Sequence, residues 1–185
     1  MSRDDLRARI AAAAEREAPD LLAYFVRRVP AREDAADLLS ETMLVLWRRA
    51  RDAPSDDGQL RPWLFGVAHR VLQRHRRSWA RREAATQRLR SELEGHSYSG
   101  FADSDDADRV RGALRVLAEL DRQIITLVHW EGFTQAEAAA ILGRNPSTVR
   151  TRYERARQRL RAVLADDDEH IVRVRRTQPS SGGTR

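Results

Sequence analysis

Residues 132–161 read GFTQAEAAAILGRNPSTVRTRYERARQRLR, and the stretch carries its own punctuation. Thr134 followed by Glu137 is a capping box, in which two side chains satisfy amides left open at a helix start. Gly143 ends the helix so begun, because glycine takes the left-handed turn without strain. Asn145 is a good N-cap and Pro146 a good first helical residue, so a second helix starts at once. Two helices joined by about three residues around a glycine make a helix-turn-helix. Ala139 is small where the helices cross. Val149, Tyr153, Ala156, Leu160 and Val163 recur at helical steps and are expected to face inward. Ser147, Thr148, Arg150, Thr151, Glu154 and Arg155 are then left on the outward side of the amino-terminal half, the end that enters the major groove in this motif. An arginine-rich solvated face on a plain helical hairpin is the competing reading. The cap box, small residue, glycine, cap-proline pair and apolar anchor all fall in register, which favours DNA.

Upstream, the chain divides by charge. Leu60–Arg82 holds seven Arg, two His and no acid; Gly95–Asp108 holds four Asp and no Arg; Thr148–Leu164 holds six Arg against the single acid Glu154. Two basic segments separated by an acidic one suggest two nucleic-acid-facing modules. The net charge of +6 and pI near 10.9 favour a polyanionic partner. All 34 basic residues are Arg, which a GC-rich genome explains without any function. There is no cysteine, which fits a reducing cytoplasm. No run approaches the length of a membrane span, and the amino terminus lacks the apolar centre of a secretory signal.

The remaining pattern is helical throughout, so the expected class is all-α: two small helical domains joined by a flexible linker. Ser2 caps a first helix, Pro19 precedes a second (DLLAYFVRRV) and Pro30 ends it. Glu33–Arg51 is expected as a long helix with Leu38, Leu39, Met43, Leu46 and Trp47 at core spacing. Residues 52–59, DAPSDDGQ, read as a turn-rich loop. Pro62 opens a further helix with Trp63, Val67, Val71 and Leu72 as its buried stripe. On that helix Arg70, Arg74, Arg77 and Arg81 share a face that could follow a phosphate backbone, with His69 and His75 beside it. Taken alone, this face is as compatible with solvent as with DNA. From Val110 to Leu127 a further apolar stripe is broken near Asp121. The expected organisation is an amino-terminal domain at 1–82, a linker at 83–108, a carboxy-terminal domain at 109–165 and a disordered tail at 166–185. Asp103 and Asp105 hint at a calcium loop, but Asp108 and Leu114 stand where glycine and glutamate are required, so no metal is expected. No cofactor is expected either.

Two segments together resemble a family. DLLSETMLVLWRR, followed after a loop by RPWLFGVAHRVLQRHRR, is similar to the amino-terminal domain of bacterial extracytoplasmic-function (ECF) sigma factors. The helix-turn-helix is similar to their carboxy-terminal domain. The resemblance covers roughly residues 15–165, with both motifs in the family's order. It implies a non-catalytic, cytoplasmic transcription initiation factor. Asp37, Leu38, Glu41 and Val45 would meet the clamp coiled coil of the polymerase largest subunit, and the carboxy-terminal domain would meet the flap of the second-largest. Arg61, Trp63, Arg70, Arg74, Arg77 and Arg81, with the loop before them, would bind and melt the −10 element. The helix-turn-helix would read the −35 element. Members are often held inactive by an anti-sigma factor. Ser40 stands where the family usually has Gln, Met43 where it often has an aromatic, and Arg70 where Asn is common. These departures bear on clamp contacts and −10 preference. The alternative is a stand-alone transcriptional regulator, which would have no use for a Trp-led basic helix facing melted DNA. An enzymatic reading has no nucleophile elbow or phosphate loop to rest on. Promoter elements separated by about 17 base pairs lie roughly 58 Å apart at ~3.4 Å per step. A linker of about 25 residues can stretch to roughly 80 Å, enough to straddle them.

Overall fold

The computed structural model describes the backbone of residues 3–87, 110 and 112–177, and the side chains of 4–81, 110 and 112–165. The described residues contain helices and no strand. The amino-terminal module is built from α1 (Arg3–Val26), α2 (Arg32–Arg48) and α3 (Leu60–Gln87). The carboxy-terminal module holds a short α4 at residues 112–115, then α5 (Glu119–His129), α6 (Gln135–Leu142) and α7 (Pro146–Thr177). The linker expected at 83–108, with its candidate calcium loop, lies outside the described residues from position 88 onward.

α1 runs unbroken through Pro19, where the sequence suggested two helices. Proline removes one internal hydrogen bond, but packing on both sides of it holds the helix together. Before Pro19, Ile10, Ala13 and Ala14 join a cluster with Leu46, Leu60, Leu64 and Val67. After it, Leu21, Tyr24 and Phe25 enter a larger core. On α2, Leu38 and Leu46 are buried as the spacing requires, whereas Trp47 is half exposed and lies beside the Arg7 guanidinium. Residues 50–59 form two short turns of 3₁₀ helix. The second is capped by Asp56, which accepts from the Gly58 amide.

The larger core is continuous across both modules. It joins Tyr24, Phe25, Leu38, Phe65 and Leu72 to Leu114, Ile124, Phe133, Ile141 and Val149. α3 therefore has residues 64–69 buried all round rather than along one stripe, because α1 and α2 cover one side and α6 the other. The two modules pack directly on each other.

In the helix-turn-helix, every local expectation is met. Thr134 Oγ1 accepts from the Glu137 amide while the Glu137 carboxylate accepts from the Thr134 amide. Gly143 sits at φ 62°, and the Arg144 amide donates to the Ala139 carbonyl. Asn145 Oδ1 accepts from the Ser147 amide at 2.9 Å. The α4–α5 break falls at residues 116–118 rather than at Asp121, which lies within α5 and pairs with Arg152 at 2.7 Å. α7 continues to Thr177, so residues 166–177, expected as tail, are helical. No glycine or proline interrupts the chain between Pro146 and Pro179, so no residue type that ends helices stands there.

Replacing Gly143 with Ala forces a β-carbon into the left-handed region, and we expect the unfolding free energy to drop by about 1–2 kcal/mol. Chemical denaturation of wild type and variant checks this; equal midpoints would contradict the turn geometry.

Candidate nucleic-acid interface

The outward face of α7 is presented to solvent. Pro146, Ser147, Thr148, Arg150, Thr151 and Arg155 are exposed, while Val149, Tyr153 and Ala156 are buried against α5 and α6. Three devices fix this orientation. Val149 is fully covered. The Tyr153 hydroxyl meets His129 Nε2 at 3.1 Å with their rings stacked. Arg152 is tied to Asp121. Arg150 and Arg155 carry no carboxylate partner among the described residues, so their guanidinium forks are available to phosphate or to guanine edges. Glu154 differs: it pairs with Arg157 at 2.9 Å, one turn along the helix. The Ser147 hydroxyl donates to Asn145 and the Thr151 hydroxyl to the Ser147 carbonyl, so both first serve the helix start.

On α3, Arg70, Arg74, Arg77 and Arg81 are all exposed and share a side, as their spacing required. Arg74 pairs with Glu41 of α2, so a candidate DNA contact and a candidate polymerase contact hold each other. Arg70 and Arg77 line a cleft of about 560 Å³ together with Arg76, Arg144 and His69. His69 is not on the solvated surface where the sequence placed it. It is buried, with Nδ1 3.3 Å from the Tyr24 hydroxyl. Burial lowers its pKa to about 4, and the charges of Arg28, Arg76, Arg70 and Arg144 act in the same direction. The imidazole is therefore a neutral core group.

Two further expectations are corrected by packing. Leu38, assigned to polymerase contact, is only 2% exposed and belongs to the core. Asp37 is exposed, Glu41 and Val45 are partly so, and the free apolar surface of α2 is supplied by Leu44 and Trp47 instead. Leu44 escaped notice because it lies off the core-facing stripe; a large apolar residue on the wet side of an amphipathic helix was the available signal. Arg61, assigned to the −10 element, is drawn inward. It donates to Glu17 at 2.8 Å, to Asp20 at 3.2 Å and to the Glu131 carbonyl at 2.9 Å. Its guanidinium also covers the Phe65 and Phe133 rings. Trp63 is half-buried against the smaller core.

The loop at 52–59 is held by a residue far away in sequence. Arg9 donates to Asp57 at 2.6 Å and to the carbonyls of Pro54 and Ser55 at 2.8 and 3.1 Å. Among the described residues there is no cluster of His, Cys, Asp and Glu that could hold a metal ion.

Residues 13–83 match the family Sigma-70 region 2, and residues 107–160 match Sigma-70, region 4. The RNA polymerase sigma-E factor of Streptomyces coelicolor is 32% identical over 151 residues, covering 77% of this chain and 78% of that protein. The chain belongs to the ECF sigma factors. Another sigma-E factor, from Streptomyces avermitilis, is 33% identical and covers 77% of each chain. Among solved structures, the sigma factor RpoE in complex with the anti-sigma factor NepR, from Bartonella quintana, superposes with a TM-score of 0.59. It has 26% identity and covers 80% of this chain and 91% of that one. CnrH in complex with the cytosolic domain of CnrY gives 0.55 and 28%, covering 88% of this chain and 96% of that one. As a sigma factor, the chain serves transcription initiation, and sigma factors as a family are regulatory, non-catalytic transcription factors.

Acid should destabilise this sigma factor in two successive windows. His69 has a folded pKa near 4 against 6.5 for the free group. The unfolded chain therefore takes up that proton first, and stability present above pH 6.5 is lost as pH falls toward 4. Glu119 behaves likewise lower down. Burial would raise its pKa, but hydrogen bonds from Gln123 and Arg76 and the charges of Arg76 and Arg122 prevail, bringing it from 4.5 to about 2. Its contribution is lost below pH 4.5. His69→Gln should flatten the upper window and leave the lower one intact. Thermal midpoints across a pH series decide it; equal slopes above pH 4.5 in both proteins would refute the assignment.

Proposed function

We propose that this sigma factor binds core RNA polymerase, directs it to promoters through −35 and −10 contacts and helps open the DNA. The observation that carries the proposal is the exposed amino-terminal half of α7. There a built helix-turn-helix offers Arg150, Thr151 and Arg155 to solvent over a buried Val149 anchor. Arg150 reads a base edge of the −35 duplex, with Arg155 and the hydroxyls of Ser147, Thr148 and Thr151 on nearby phosphates. Glu154 stays with Arg157 and orders that side of the helix. Arg70, Arg74, Arg77 and Arg81 follow the backbone of the −10 region, where Trp63 and the loop at 52–59 receive unstacked bases.

α2 docks on the clamp coiled coil of the largest polymerase subunit. Asp37 and Glu41 give the charge, and the apolar contact comes from Val45, Leu44 and Trp47. The flap of the second-largest subunit meets the carboxy-terminal module, where Trp130 and Val116 leave apolar surface exposed. An anti-sigma factor is a further partner: RpoE and CnrH, which share this fold, are both described in complexes, the first with an anti-sigma factor named as such. The work is done in the cytoplasm, where promoter DNA and polymerase meet. No described helix is long and apolar enough to cross a membrane.

Purified chain should co-elute with core polymerase in gel filtration and support run-off transcription from a cognate promoter; absence of co-elution would end the proposal. Arg150→Ala should weaken −35 duplex binding by ~1–3 kcal/mol at a single base position. A uniform loss over all −35 variants would instead make Arg150 a phosphate contact.

A further inference from the structure

We infer that the cleft between α3 and the α6–α7 turn is a binding site for a small anion carrying a chain of two or three phosphate groups. The site itself does not rest on the function proposed above. The cleft has a volume of about 560 Å³, within the range of small-ligand sites. Arg70, Arg76 and Arg77 of α3 line one wall and Arg144 of the α6–α7 turn lines the other. Among the described residues Glu119, at the start of α5, is the one acid in the lining. It is already engaged by Arg76 at 2.6 Å, by Gln123 at 2.7 Å and by Arg122. Arg70, Arg77 and Arg144 have no carboxylate partner among the described residues. Arg77 Nε donates to the Gln73 carbonyl at 3.3 Å, which leaves its terminal nitrogens for a ligand.

The guanidinium charges converge. Those of Arg76, Arg70 and Arg144 all act on His69, which lines the same cleft. Arg70 is itself held below its ordinary pKa by burial and by the charge of Arg49. Four guanidiniums against one engaged carboxylate leave an uncompensated positive field in a concavity, which concentrates anions. α5 begins at the cleft and α6 ends there, so the two helix dipoles oppose each other and the side chains set the sign. Arginine forks take phosphate oxygens two at a time. Arg70 and Arg77 are seven residues apart on α3, roughly 10 Å along its axis. That spread suits an elongated anion with several charges rather than a single phosphate. A DNA duplex fits the cleft less well, because its phosphates lie on a convex surface. On the function proposed above, Arg70 and Arg77 are also −10 contacts, so a bound phosphate chain withdraws both from DNA.

Calorimetric titration of the full chain with inorganic triphosphate, without divalent cations, tests the site. Saturable binding of one triphosphate per chain is expected. Arg144→Ala and Arg77→Ala should each weaken it at least about tenfold, the loss of one charge-assisted hydrogen bond. Arg144 is exposed and its backbone amide, not its side chain, serves the turn, so this variant keeps the fold; circular dichroism checks that both variants do. Arg159→Ala removes an exposed arginine of α7 outside the cleft and should leave the affinity unchanged. ATP and GTP in place of inorganic triphosphate separate the two sources of the group. Equal or tighter binding assigns the site to a nucleotide, and weaker binding assigns it to the free phosphate chain. Absence of saturable binding overturns the proposal, as does an equal loss in Arg159→Ala, which would mean diffuse attraction to a basic surface. Duplex DNA binding that depends on Arg144 while triphosphate fails to bind would make the cleft part of the DNA surface and overturn it too. Loss of polymerase binding, with triphosphate still held, would sink the sigma reading and leave this site standing.

Discussion

A single carboxylate, Glu131, set between Arg27 and Arg28 out of contact with water, governs how the molecule is put together. Removing one partner of such a buried pair costs about 3–5 kcal/mol, because the remaining charge stays buried and uncompensated. Around it the Phe65–Phe133 contact and the α3–α6 packing merge two short helical cores into one. His69 is neutral because that merging buries it within reach of several arginines.

What stays wet is as informative as what is buried. The recognition face of α7, the arginine side of α3 and the Leu44–Trp47 end of α2 all remain accessible. Several exposed arginines on these faces have no carboxylate partner among the described residues. Others, such as Arg74 with Glu41 and Arg157 with Glu154, are engaged within the chain.

The helix-turn-helix was legible in the sequence because its signals are local. Thr134, Glu137, Gly143, Asn145 and Pro146 each act within a few residues of where they stand, and each behaves as its chemistry dictates. The same holds for the arginine side of α3. Leu38, His69 and Arg61 were misplaced for the opposite reason: their surroundings come from elements far along the chain. Nothing near Arg61 announces that the carbonyl of Glu131 will meet it. Pro19 shows the same limit, since a breaker loses to packing that only the assembled helices supply.

Arg9 gives the amino-terminal helix a hold on the loop before α3 that its position in the chain does not suggest. By tying Asp57 and the carbonyls of Pro54 and Ser55 to α1, it makes the loop before α3 a preshaped rim rather than a slack tether. A rim held from behind admits a base without first having to be ordered, so less binding energy is lost to entropy on contact. On the function proposed above, base selectivity in that loop is tuned from the back of the module, by a side chain that touches no nucleotide.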